Sequence, residues 1–313
     1  MPLKGALPSL LLSFVVTFGA ESAAACHSPQ RTASGSTDTT QVPTRIRVDS
    51  GTVSVNGTIL YYEAAGRGPV VILLHAGNLD RRVWDPQFLP LAREHRVIRY
   101  DLRGYGRSGP ADAPYAAQED LGALLDALGI GRASLVGLSG GGRIAIDFAL
   151  AHPERVNRLV LASTGLSGWQ YADSGDTAYF AEARRARDRG DAAALGIAWL
   201  GSAYTRPAME HPELVAPLRE MAAANGKAWM GLLKHGDLER PADPPALHHT
   251  VGLRIPTLLI VGTRDTPDIR AIADTLAASV PGIRRVTFEG AGHLVNMKQP
   301  QRFTNLVRTF LHP

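Results

Sequence analysis

From residue 45 onward, short apolar and β-branched runs alternate with segments whose apolar residues recur at helical spacing. That alternation admits few folds. The run at 70–75 (VVILLH) is apolar at nearly every position, so both of its faces must be covered. Strands buried on both faces and separated by helices form a parallel sheet with helices on either side. Eight strands are expected, at 45–55, 58–64, 70–75, 96–100, 134–138, 158–162, 256–261 and 284–288. Asn56-Gly57 is a tight hairpin turn between the first two, which makes the sheet only mostly parallel. Helices are expected at 84–94, 118–128, 141–151, 267–280 and 299–311.

The alternation stops between 165 and 253, where the chain is rich in Ala, Arg and Met and has no strand pattern. A helical cap inserted after the sixth strand is the simplest reading. The core is then 45–164 joined to 254–313. Ahead of it, residues 1–25 carry one cation, an apolar run too short to span a membrane, and small residues, as an export signal does. Ala23-Ala24-Ala25-Cys26 resembles the pattern at which a lipid is placed on the cysteine, with Ala23 where that pattern usually has Leu, and Cys26 is the only Cys in the chain. Residues 26–44 are Ser- and Thr-rich and read as a tether. An exported protein held to a membrane through Cys26 is the expectation, with a freely secreted one as the alternative.

The strand at 134–138 runs into Gly137-Leu138-Ser139-Gly140-Gly141-Gly142 and then into a helix. A nucleophilic serine on a strand-to-helix turn sits on a tight backbone, so its neighbours must be small. Its hydroxyl then projects beyond the sheet, and the first helical amide, that of Gly140, faces any oxyanion formed on attack.

With His75-Ala76-Gly77 after the third strand and Asp101-Leu102-Arg103-Gly104-Tyr105-Gly106-Arg107-Ser108 after the fourth, this serine turn resembles the α/β-hydrolase family. The likeness runs from about residue 45 to the C-terminus, apart from the cap. It implies a catalytic order of serine, acid, histidine. His293, in Gly290-Ala291-Gly292-His293 after the last strand, takes the place of the base, and Asp265, after the seventh strand, that of the acid. Asp268 competes, but Thr266-Pro267-Asp268 reads as the start of a helix. The resemblance places the second oxyanion donor at the Gly77 amide, with that of Asn78 as the alternative. Asp101 and His75 are expected to organise loops.

A serine at 139 excludes the carboxylate-nucleophile chemistry of dehalogenases and epoxide hydrolases. What remains is an acyl-enzyme route on a small or medium carboxylic ester or lactone, with no cofactor. C–C bond hydrolysis, perhydrolysis, or ligand sensing without turnover are the alternatives. Trp169, Trp199, Trp229 and Met230 are candidates for lining a substrate pocket in the cap. The net charge of +4 is carried by Arg spread among Asp and Glu, which argues against a nucleic-acid partner. Zinc-binding and dinucleotide-binding motifs are missing, so no metal is expected. Oligomeric state leaves no mark in the sequence.

Overall fold

A computed structural model describes residues 46–172 and 177–312. The expected export signal (1–25), Cys26 and the rest of the tether (26–44) lie outside the described residues. The strands are β1 (Val48–Val55), β2 (Thr58–Ala65), β3 (Val70–Leu74), β4 (Arg96–Tyr100), β5 (Ala133–Leu138), β6 (Val156–Ala162), β7 (Thr257–Gly262) and β8 (Arg284–Phe288). They form one sheet in the order β1-β2-β4-β3-β5-β6-β7-β8. β2 runs antiparallel to both β1 and β4, and every other pairing is parallel.

Strand periodicity divides the core in two. Ile72, Leu74, Ile98, Tyr100, Leu135, Leu159, Leu161 and Leu259 face one way. They pack on α2 (Ala117–Ala127), α3 (Gly140–Ala151) and α8 (Pro267–Ser279). The residues between them in the same strands, such as Val71, Leu73, Val136, Val160 and Leu258, face the other way. There they meet α1 (Asp85–Leu91) and α10 (Pro300–Leu311), with α9 (Val295–Lys298) beside them.

Two helices depart from expectation. α1 ends at Leu91 because the amides of Glu94 and His95 both donate to the Leu91 carbonyl, turning the chain into β4. α9 is a single turn that no periodicity announces, and Pro300 starts the next helix almost at once.

Among the described residues, four α-helices and no strand lie between β6 and β7: α4 (Thr177–Asp188), α5 (Ala192–Ala198), α6 (Arg206–Met209) and α7 (Pro212–His235). This insertion sits over the C-terminal ends of the strands. From α7, Asn225 Nδ2 donates to Asp80 Oδ2 at 2.9 Å and Asn225 Oδ1 accepts from the Gly106 amide at 2.7 Å. Lys227 Nζ reaches the Gly106 carbonyl at 2.9 Å. Pro207 packs so close to Gly292 that a Cβ there would come within 2.7 Å of the proline ring.

Phe303 of α10 is fully buried, with its ring 6.0 Å from Trp84 and 6.4 Å from Phe288. Phe303→Ala leaves a cavity that this close-packed face cannot collapse, and should cost about 3–5 kcal/mol in urea unfolding. Leu89→Ala, at a position 43% exposed, should cost no more than ~0.5 kcal/mol.

Candidate active site

The sheet turns into α3 at Ser139, whose φ of 55° and ψ of −117° lie in a region that non-glycine residues rarely occupy. The Ser139 amide donates to the Ala162 carbonyl at 2.9 Å, and its carbonyl accepts from the amides of Gly142, Arg143 and Gly165. Small neighbours make the turn possible. A Cβ on Gly141 would lie 2.4 Å from the Leu74 carbonyl oxygen, and one on Gly142 would lie 2.3 Å from Thr164 Oγ1. Gly140 opens the helix, so its amide has no intrahelical acceptor.

The loop after β3 comes up against this turn: a Cβ on Gly140 would sit 3.6 Å from the Gly77 nitrogen. His75 shapes the loop from inside. Its Nε2 accepts from the Leu102 amide at 2.9 Å while Nδ1–H donates to the Ala76 carbonyl at 2.7 Å. That arrangement requires a neutral ring, and burial lowers the imidazole pKa in the same sense. Asn78 takes a left-handed φ of 63°, and its backbone lies near the Tyr105 hydroxyl. The Gly77 and Gly140 amides find no acceptor among the described residues.

Asp101, below this loop, accepts from the Arg81 amide and guanidinium and from the Arg107 amide at 2.8–3.0 Å. It therefore ties the loops after β3 and β4 together.

On the neighbouring strands, Asp265 follows β7 and His293 follows β8, both buried. His293 Nδ1 lies 2.9 Å from Asp265 Oδ1 and 3.2 Å from Oδ2. Asp265 Oδ1 also accepts from the Thr266 amide at 2.8 Å, which fixes the carboxylate in the ring plane's reach. Ser139, Asp265 and His293 thus all lie beyond the C-terminal ends of parallel strands of one sheet. The Ser139 hydroxyl and His293 Nε2 are not hydrogen-bonded to each other here.

A sequence model of the alpha/beta hydrolase fold matches residues 69–300. The chain belongs to that family. It is 30% identical to an enol-lactonase from Burkholderia xenovorans whose crystal structure superposes with a TM-score of 0.69, covering 84% of this chain and all of that one. A carboxylesterase from Bacillus subtilis is 27% identical, with a TM-score of 0.67 over 86% of this chain and 93% of that one. A pimeloyl-(acyl-carrier protein) methyl ester esterase from Aeromonas hydrophila is 28% identical over 80% of this chain and 98% of its own length.

In this hydrolase the four cap residues singled out from the sequence lie apart. Trp229 lines a cavity of about 500 Å³ that runs from Gly77 and Asn78 to the C-terminal half of α7. Trp199 is buried in the core face shared with the insertion. The Trp169 indole donates to Asp268 at 3.2 Å, and Met230 is half-buried outside the cavity wall. Asp268 also accepts from the Ala172 amide, so this carboxylate fastens the start of the insertion to α8. Among the described residues, no group of three or more His, Cys, Asp or Glu is placed to hold a metal ion.

Two residues at the site carry no sequence signal. Tyr204, from the insertion, stands edge-on to the His293 ring at 4.9 Å between centroids. Burial, then the nearby Tyr171, Asp268 and Asp265, push its phenol up to about 12, so it stays protonated at neutral pH. Asp80 caps the turn at Arg82, pairs with the Arg82 guanidinium at 2.8 Å and accepts from Asn225.

Burial alone would raise the Asp80 carboxyl, but the hydrogen bonds from Arg82 and Asn225 outweigh it and hold the group at about 2. Because the folded value is depressed, this stabilisation is complete above the ordinary value near 3.8 and is lost as pH falls towards 2. Asp80→Asn should remove about 2 kcal/mol of the pH-dependent stability between pH 5 and 2. Urea titrations across that range would read it as a flatter slope.

Proposed function

We propose that the protein is a serine hydrolase that cleaves a small or medium carboxylic ester or lactone through an acyl-enzyme on Ser139. The observation that carries the reading is the buried Asp265–His293 pair. With Nδ1–H given to the carboxylate, the imidazole is held as the tautomer whose Nε2 accepts a proton. The pair stands on the same sheet edge as a strained serine followed by an amide with no acceptor.

In this mechanism Ser139 Oγ attacks the carbonyl carbon while its proton passes to His293 Nε2, and Asp265 stabilises the imidazolium. The carbonyl oxygen becomes an oxyanion received by the Gly140 and Gly77 amides. Gly77 is favoured over Asn78 because its nitrogen lies beside the start of α3, 3.6 Å from where a Cβ on Gly140 would sit. The tetrahedral intermediate collapses, His293 returns the proton to the departing alkoxide, and water repeats the sequence on the acyl-enzyme. The absence of a resting Ser139–His293 hydrogen bond fits a contact that tightens when substrate binds. The named activities of the enol-lactonase, carboxylesterase and methyl ester esterase relatives support an ester or lactone as substrate.

Ser139→Ala should abolish turnover of p-nitrophenyl acetate and butyrate with the far-UV spectrum unchanged, and retained turnover would remove Ser139 as nucleophile. Asp265→Asn should lower kcat by roughly three to four orders of magnitude with little change in KM.

From the sequence of its first 44 residues we also propose export and lipid attachment at Cys26. Mass spectrometry of the mature N-terminus should find a diacylglyceryl-modified Cys26 in first position. An unmodified residue there would argue for the freely secreted form.

A further inference from the structure

A second, much smaller cavity of about 80 Å³ opens beside the same two amides: Gly77 and Gly140 are both in its wall. Its other lining residues include the apolar Leu102, Ala117 and Ile144 and the aromatic Tyr105 and Tyr115. The charges that reach it are paired. Arg103 is bound in a fork by Asp120 at 2.8 Å through two nitrogens and by the Asn56 carbonyl at 2.9 Å. Arg143 is paired with Glu239 at 2.6 Å and faces Asp147 at 3.5 Å. The cavity therefore offers no unbalanced charge to an ionic ligand.

It does offer one unanswered polar group. Tyr100, at the end of β4, is 1% exposed and lines this cavity, and its hydroxyl has no hydrogen-bond partner among the described residues. A buried hydroxyl without a partner costs free energy that the fold could have avoided with phenylalanine, since nothing else in the core uses the oxygen. A ligand that brings its own hydrogen-bonding group would recover that cost.

We infer that this cavity is the acyl subsite, and that it selects short acyl groups carrying a neutral hydrogen-bonding group, hydroxy- or oxo-acyl, a few heavy atoms from the carbonyl, with the Tyr100 hydroxyl as its partner. The inference rests on the serine-hydrolase reading, because it places the scissile carbonyl at the Gly77 and Gly140 amides. In this inference the acyl chain of the ester fills the small cavity, whose wall includes both amides. The larger cavity, which shares Gly77 and runs out under α7 to Trp229 and Leu232, takes the leaving alcohol. The volume admits a chain of only a few heavy atoms.

The test compares p-nitrophenyl 3-hydroxybutyrate with p-nitrophenyl 3-methylbutanoate, which differ only by a hydroxyl in place of a methyl. The wild-type enzyme should favour the hydroxy ester in kcat/KM by roughly tenfold, and Tyr100→Phe should bring the ratio close to one. Because the removed hydroxyl is unpartnered, the Tm of Tyr100→Phe should not fall. Ala117→Leu, which fills the cavity, should shift the acyl-length optimum down to acetyl.

A wild-type ratio near one, or a preference that survives Tyr100→Phe, overturns the inference. So does a lowered Tm in Tyr100→Phe, which would show the hydroxyl bound by the protein or by fixed water. Failure of the underlying reading has a different signature: turnover of p-nitrophenyl acetate that persists in Ser139→Ala.

Discussion

The backbone at Ser139 is the constraint from which the site follows. A non-glycine residue at a φ of 55° carries roughly 1–3 kcal/mol of strain. It persists because the surroundings leave no other path. The Ser139 carbonyl is locked by three amides and its own amide by the Ala162 carbonyl on β6. Each of these bonds depends on α3 beginning in near contact with β3 and β5. That contact exists only because Gly137 and Gly141 have no side chain: a Cβ on Gly137 would meet the Gly141 carbonyl oxygen at 2.5 Å. The same closeness carries the start of α3 up to the Gly77 loop, so the strain and the pair of acceptorless amides have one cause.

The insertion shares an apolar core face with the sheet and is also fastened to that frame by buried polar contacts. Asp80 is the clearest case, since one buried carboxylate caps the loop after β3 and receives Asn225 from α7. A second fastening lies on the other side, where Ser167 Oγ donates to Asp147 of α3 at 2.5 Å and accepts from the Ala246 amide at 2.9 Å. The two ends of the insertion are thereby gathered at one buried hydroxyl. Arg143, on the same helix face, reaches Glu239. Removing one partner of such a buried pair costs more than the pair contributes, because a lone charge or donor is left behind. The composition acquires a physical meaning here. Three of the arginines are used inside the fold: Arg81 with Glu63 and Asp101, Arg99 with Glu63 and Asp85, and Arg103 with Asp120.

Local rules made the sheet legible in the sequence. Continuous apolar runs marked β3, β5 and β7, Asn56-Gly57 marked the hairpin, and Thr266-Pro267 marked the start of α8. The glycines around Ser139 were legible for the same reason, since a turn that tight tolerates nothing else. Tyr204 and Tyr100 were not. Tyr204 matters because the insertion folds back over the His293 loop, a contact between residues 89 positions apart that leaves no periodic trace. Tyr100 ends an ordinary strand, and only the wall it shares with Gly140 separates its hydroxyl from any other buried phenol. The four cap candidates failed to form a group for a related reason. Their residue type suggests a pocket, but helix orientation decided that Trp229 meets the cavity while Trp199 fills core.

The direction of proton flow follows from how His293 is held. Two carboxylate oxygens within 3.2 Å of Nδ1 leave that nitrogen as the donor, so only Nε2 is available to a substrate or to Ser139. Tyr204 stands against the ring, and its raised phenol keeps its proton near neutrality, so it does not compete as a base. His75, the other fully buried imidazole at this end of the sheet, has both nitrogens committed to the backbone and cannot exchange roles with it. One imidazole is therefore fixed for structure and the other has a single nitrogen left open. In the proposed mechanism that asymmetry decides which histidine takes the serine proton, and it arises from what each ring touches, since the two residues are chemically the same.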